Sequence, residues 1–203
     1  SAVLILALSS CSDDGDGYNN SPSPDGNANT LRISFEHEVN GDSLVFDEMR
    51  YENKAGQRYG VTKLEYIVTD FRLYTDATSY EEISTSQYVN PEKTGSTSFT
   101  LNELPDGDYE QVSFVFGIRE EKNRSGNLPS SRNIANMGWP PGNGGGYHYM
   151  RMNGNYESDS AQGVFTTHLG HTKQWALDTT VNGVQDTAVV TDETVKSFAF
   201  EVK

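Results

Sequence analysis

Four histidines, four methionines and two tryptophans hold most of the metal-capable chemistry in this 203-residue chain. His148 alternates with Met150 and Met152, and in an extended strand that spacing places all three side chains on one face. His168 closes the run Thr167-His168-Leu169-Gly170, and His171 follows at once. Imidazole and thioether together suit copper better than calcium or magnesium, which take oxygen ligands. A cysteine-rich zinc site is excluded, because the sole cysteine, Cys11, stands in a different setting. His37 falls on an apolar face, where a lone histidine is more often a satisfied packing residue than a ligand. Spacing alone therefore leaves two readings open, a metal site and ordinary packing. No glycine-rich phosphate loop, serine nucleophile elbow or carboxylate pair stands out, so an enzyme is not expected.

The elements that would position these residues read as strands. Leu31, Ile33, Phe35, His37 and Val39 alternate with polar neighbours, the pattern of a half-buried strand that points His37 inward. Leu64, Tyr66 and Val68 interleave with Ile67, Thr69, Phe71 and Leu73, which fits a long strand buried on much of both faces. Phe99 with Leu101 marks a short strand, and Val112, Phe114, Phe116 and Ile118 mark a strong one after an Asp106-Gly107 turn. Strand signal returns over 147–152, 163–169, 188–191 and at Phe198, Phe200 and Val202. Residues 119–146 read as a loop rich in Gly, Pro and Asn, with room for a short turn of helix over 130–137. Loops of that length inside a compact domain are usually functional. The expected fold is all-β, an antiparallel β-sandwich with one long Gly/Pro-rich loop.

The first thirty residues differ. Ala2 to Leu8 is an apolar run far shorter than the ~20 residues that span a membrane. Leu8-Ser9-Ser10-Cys11 resembles the lipobox of bacterial lipoproteins, which implies lipidation of Cys11 and anchorage to a membrane. The acidic, Gly/Pro/Ser-rich stretch after Cys11 reads as a disordered tether, and it resembles the surface-export signal of Bacteroidetes lipoproteins. The expected organisation is a signal-peptide remnant over 1–10, lipidated Cys11 and a flexible linker over 11–29, and one domain over 30–203. No initiator Met or basic segment precedes the apolar run, and the last strand still alternates at Lys203, so both ends read as cut. The location expected is the outer membrane, facing the periplasm or the cell surface. A formal charge of −14, from 29 acidic and 15 basic residues, argues against a nucleic-acid partner.

Several stretches, in order, resemble one family. Phe35-Glu36-His37-Glu38-Val39-Asn40-Gly41 is similar to the first strand of the methanobactin-associated periplasmic copper-binding proteins (MbnP-like). Tyr51 to Gly56 and Val61 to Leu73 resemble the family's "T-N-A-x-G … v-x-K-x-x-Y-x-I-S-x-x-x-L" stretch. Gly107 to Ile118 is similar to "G-x-Y-x-x-I-x-F-x-x-G-V". Met137-Gly138-Trp139 with Gly146 to Gly154 resembles "M-Y-W-x-W … G-Y-x-x-x-K-L-E-G", and Phe165 to Gly170 resembles "F-x-x-H-L-G". The chain departs from these patterns at Gly138, Pro141, Asn153 and His171.

The resemblance implies a β-sandwich binding one copper ion, with His37, Trp139 and His168 as the matching ligand positions. It also implies a di-haem cytochrome peroxidase as partner, which in some members oxidises the binding Trp to kynurenine. An indole N–H only donates, whereas kynurenine offers a ketone and an aniline nitrogen. His37 and His168 are expected to meet at one end of the sandwich with Trp139 beside them; His148, His171 and Met137 are secondary candidates. Trp139 as a loop aromatic capping the sandwich, and Met137 as a hydrophobic plug, are the packing alternatives. Trp175 reads as packing, and Asp70 is given no role. The competing function is a glycan-binding or adhesin-like surface lipoprotein, with Trp139, Tyr147 and Tyr149 forming an exposed aromatic face.

Overall fold

The computed structural model describes residues 2–9, 29–141, 144–170, 172–177, 188–194 and 199–202, the first and the last three segments as backbone. Cys11, the linker up to residue 28, and His171 lie outside the described residues. The fold is an all-β antiparallel sandwich. One sheet contains β1 (Ala2–Ser9), β2 (Asn29–Val39), β3 (Asp42–Ser43) and, paired with β2, β7 (Ser98–Leu104). The larger sheet is built on β5 (Arg58–Tyr74), which pairs with β4 (Tyr51–Glu52), β6 (Tyr80–Val89), β8 (Gln111–Phe116) and β9 (His148–Glu157). Beyond β9 lies β10 (Gln162–Gly170), and beyond β8 lies β13 (Ala199–Val202). The strands β11 (Thr172–Leu177) and β12 (Ala188–Thr194) form a separate antiparallel pair.

Period-two patterning accounts for the sandwich. In β2, Ile33 and Phe35 are buried while Arg32 and Glu36 face solvent. The turn into β3 is Asn40-Gly41, with φ of 57° and 90°. Two consecutive left-handed residues make the turn whose twist matches that of the flanking strands, and Asn-Gly supplies it at least strain. The core between the sheets joins Ile33, Phe35 and Leu101 to Tyr66, Val68, Phe71, Leu73, Val112 and Phe114.

The length of β5 depends on an irregularity at Asp70, a non-glycine residue at φ 51° where pairing to both β6 and β8 shifts. Before it Tyr66 and Val68 face the core; after it Phe71 and Leu73 do. One extra residue thus switches the inward positions from even to odd. The other face of β5 is covered as well. Ile67 belongs to a second cluster with Ile118, Ile134, Met137, Tyr147 and Tyr149, contributed largely by the segment 118–149. The expected loop over 119–146 is therefore a third layer, carrying a 3-10 turn (Glu120–Lys122) and the short helix α1 (Arg132–Asn136). Patterning did not anticipate β6, because its burial is partial and its sequence, rich in Glu, Ser and Thr, has no apolar stripe.

Candidate metal centre

The covering segment is fastened at both ends. At its start, Arg119 and Lys122 reach the buried carboxylate of Asp70 at 3.0 and 2.6 Å. At its end, Asn123 mimics a strand: its Oδ1 accepts from Tyr147 N at 2.8 Å and its Nδ2 donates to Tyr147 O at 3.3 Å. Asn123 is 1% exposed, so these two bonds satisfy an amide that burial would otherwise penalise. Between the anchors, Ser131 caps α1 by accepting from Ile134 N at 3.2 Å. The chain leaving α1 then pairs back on the start of β9. His148 N donates to Met137 O at 2.7 Å, and Trp139 N donates to Gly146 O at 2.8 Å.

That short pairing sets Trp139 against His148, with ring centroids 4.4 Å apart. His148 in turn meets His168 edge to face at 4.9 Å. The buried His148 ring is fixed by its Nδ1, which donates to the Met137 carbonyl at 3.0 Å. A carbonyl only accepts, so the proton is on Nδ1 and the Nε2 lone pair faces away from that bond. Ligating histidines are commonly oriented in this way, by a backbone carbonyl on the other nitrogen. His168, on β10, is exposed. Gly170 makes room for the indole: a Cβ there would lie 2.7 Å from Trp139 Cζ3, so the indole occupies the space a side chain would take.

The face chosen by His148 corrects an expectation. Met150 packs against the inter-sheet core, opposite Tyr66, but His148 does not share its side. Pairing of β9 with β10 runs Leu169 to Met150 and then Gly170 to His148, so the register steps over Tyr149. That bulge breaks the alternation and lets both Tyr149 and His148 serve the outer side.

His37 also departs from expectation. Its ring lies in the sandwich, where Nε2 shares a 2.9 Å hydrogen bond with the Tyr66 hydroxyl. Burial drives its pKa down to about 4 and raises that of Tyr66. His168 stands opposite Arg151, whose guanidinium pairs with Glu65. Glu65 and Tyr66 are consecutive in β5 and point to opposite faces, so the large sheet separates His37 from His168. The expected meeting of these two does not occur; the structure joins His168 to His148 and Trp139 instead. Met137 is fully buried and offers its carbonyl, not its sulfur, to the cluster. Tyr147 and Tyr149 are 7% and 6% exposed, so the exposed aromatic face that a glycan-binding reading required is absent. No group of three His, Cys, Asp or Glu converges among the described residues.

Beneath the histidines lies a charged network that patterning did not single out. Glu65, 3% exposed, holds Arg151 Nη2 at 2.6 Å and Lys63 Nζ at 3.0 Å through Oε1. Its Oε2 accepts from the Tyr88 hydroxyl at 2.6 Å. Arg151 Nη1 donates to Asn136 O at 2.8 Å, next to Met137. Desolvation pushes the Glu65 pKa up, but the Tyr88 and Lys63 hydrogen bonds and the two cations bring it below the ordinary value. Lys63 stands opposite Asn153 across the strands, at the position where the resemblance has Glu, and it turns to Glu65 instead. The legible signal was a carboxylate and a guanidinium in otherwise apolar runs. Both site histidines titrate below the ordinary value: His148 through burial, then the charges of His168 and Arg151; His168 through burial, then Arg151 and Lys63. At neutral pH both are neutral imidazoles, the form that binds metal.

Two hollows, of about 430 and 330 Å³, lie beside β6 and share Ser86 and Pro129; no histidine lines either. No curated protein and no solved structure matches the chain. The family model MbnP matches residues 28–202, from the start of β2 through β13. The match takes in both sheets and the residues gathered around His148, and the chain belongs to the MbnP family.

Proposed function

We propose that this chain is a non-catalytic copper-binding lipoprotein of the cell envelope, holding copper between His148 and His168 beside Trp139. The family is associated with copper and with the periplasm. The observation that carries the assignment is the Met137 carbonyl on His148 Nδ1, which fixes the tautomer and leaves Nε2 for a metal. Two nitrogens bound to one ion at about 2 Å each lie within ~4 Å of each other. Ring centroids 4.9 Å apart are compatible with that separation. Borderline imidazole donors suit copper, and the Irving–Williams order ranks Cu²⁺ above the other divalent ions at such a site.

Trp139 is the third member. As an indole it presents an N–H donor and an aromatic face; oxidised to kynurenine by a di-haem peroxidase, it would add a ketone and an aniline nitrogen. His37 has no place in this set. No helix of the described residues is long and apolar enough to cross a membrane. Attachment is assigned to a lipid at Cys11 from the lipobox-like Leu8-Ser9-Ser10-Cys11. Elemental analysis of protein purified without added metal, followed by copper titration of the wild type, His148→Ala and His168→Ala, tests the site. Equal affinities in all three would overturn it. Mass analysis of the peptide bearing Trp139 tests the modification, and loss of membrane attachment in Cys11→Ala tests the anchor.

A further inference from the structure

The larger of the two hollows, about 430 Å³, lies between the turn joining β6 to β7 and the start of α1. In a chain with a formal charge of −14 its lining is an exception, because no carboxylate is found there among the described residues. Ser86, Gln87, Ser96, Ser131 and Asn133 offer hydroxyls and amides, and Lys93 supplies a cation. The Lys93 ammonium is held from two sides. Its Nζ donates to Asn133 Oδ1 at 2.8 Å and lies over the Tyr88 ring, 5.2 Å from the centroid. The turn that carries it is fixed as well: Lys93 N donates to Asn90 O at 2.9 Å, and Ser96 N to Lys93 O at 3.1 Å. Asn90 is 5% exposed, and its Oδ1 accepts from Glu92 N at 2.9 Å. In the adjoining hollow the Lys122 ammonium is committed to Asp70 at 2.6 Å. Lys93 rests on neutral groups instead, so its charge is left for whatever enters.

We propose that this hollow binds a small hydroxylated carboxylate, a sugar acid of the hexuronate kind, with its carboxylate on Lys93. The volume falls within the range of small-molecule sites. Polar walls select a polar occupant, since an apolar one would strip water from the lining hydroxyls and amides without replacing its hydrogen bonds. One ammonium matches one negative charge in a charge-assisted hydrogen bond. A phosphate monoester carries nearly two charges and would be left half neutralised. The ring hydroxyls of a sugar acid find donors and acceptors in the serines, Gln87 and Asn133. Because Asn133 and Tyr88 already hold the long Lys93 side chain, binding does not have to immobilise it. The proposal is independent of the copper reading, for no histidine lines the hollow.

The test follows backbone amide resonances of the full chain during titration with glucuronate, glucose, acetate and a linear trimer of uronic acid. Glucuronate is expected to give saturable shifts confined to 86–88, 93–96 and 131–134, and to bind roughly tenfold tighter than glucose or acetate. Lys93 is exposed, so its replacement leaves the core untouched. Lys93→Gln should weaken glucuronate roughly tenfold and leave glucose unchanged. Asn133→Ala frees the ammonium to rotate and should weaken glucuronate roughly threefold. Tighter binding of the trimer than of glucuronate upholds the proposal with a polysaccharide as the source, and weaker binding upholds it with the free acid. Acetate or glucose binding as tightly as glucuronate overturns it, because the charge and the hydroxyls would not be read together. Absence of glucuronate binding, shifts centred elsewhere, or an unchanged affinity in Lys93→Gln also overturns it.

Discussion

The two faces of β5 treat histidine in opposite ways. On the inner face His37 is half-buried, with the Tyr66 hydroxyl on its Nε2 and the Tyr66 ring beside it. On the outer face His148 has Nδ1 committed to a backbone carbonyl, and its ring meets a second, exposed histidine and a tryptophan. Both rings are depressed in pKa by burial, so titration alone would not tell them apart. Partner geometry does. His37 shares its hydrogen bond with a side chain at the edge of the core, whereas His148 is oriented by a backbone carbonyl and faces another imidazole, the arrangement common among ligating histidines.

The largest expected difference is in copper affinity. His148→Ala or His168→Ala should weaken binding about a hundredfold or more, while His37→Gln should leave it within about threefold. Chelator competition on the three variants measures this, and comparable losses in all three would erase the contrast between the faces.

Acid should separate the faces from the other direction. His37 titrates near 4 in the fold against about 6.5 when unfolded, so between those values the unfolded chain takes up the proton first. Stability from this group is complete above pH 6.5 and is lost as pH falls toward 4. At pH 5 the loss is about 2 kcal/mol relative to pH 7. Urea unfolding of the wild type and His37→Gln at both pH values should show a smaller fall in the variant; parallel falls would mean the buried pair does not carry the effect.

A milder change should loosen the outer face alone. Asn123→Ala strips the Tyr147 backbone of both side-chain bonds and should cost about 1–3 kcal/mol. Limited proteolysis should then cut within 124–141 before it cuts the sheets. Smallest of all, the His168 pKa read by NMR in the metal-free protein should move up toward its ordinary value in Arg151→Gln, since Arg151 is among the groups holding it down. A downward move would show that the network beneath the site acts in another way.

Much of the inner face was legible from the sequence. Leu31, Ile33 and Phe35 alternate cleanly, and Asn40-Gly41 announces its turn, so β2 and its hairpin follow from local pattern. The outer face was not, because it depends on two irregularities that pattern cannot locate. At Asp70 an inserted residue shifts β5 from even to odd, and at Tyr149 a bulge carries His148 away from Met150. His148 was therefore recognisable as a metal-capable residue but not as the partner of His168. His37 was expected beside His168, but strand alternation does not say which of the two faces of a sheet a second residue will meet, and the structure sets His37 against Tyr66. The role of Arg151 depends on Glu65, distant in sequence, and only pairing of β5 with β9 brings the two together.

The clamp of Asn123 on Tyr147 spans 24 residues and makes the covering segment a closed ring, tied off at its base independently of what lies along it. The entropic penalty for lengthening such a ring grows only with the logarithm of its size. Insertions and deletions between the clamp and α1 can therefore accumulate without disturbing the knot or the strands beneath it. Over evolutionary time the covering segment is free to vary in length and sequence, while the strands that carry His148 and His168 stay in register.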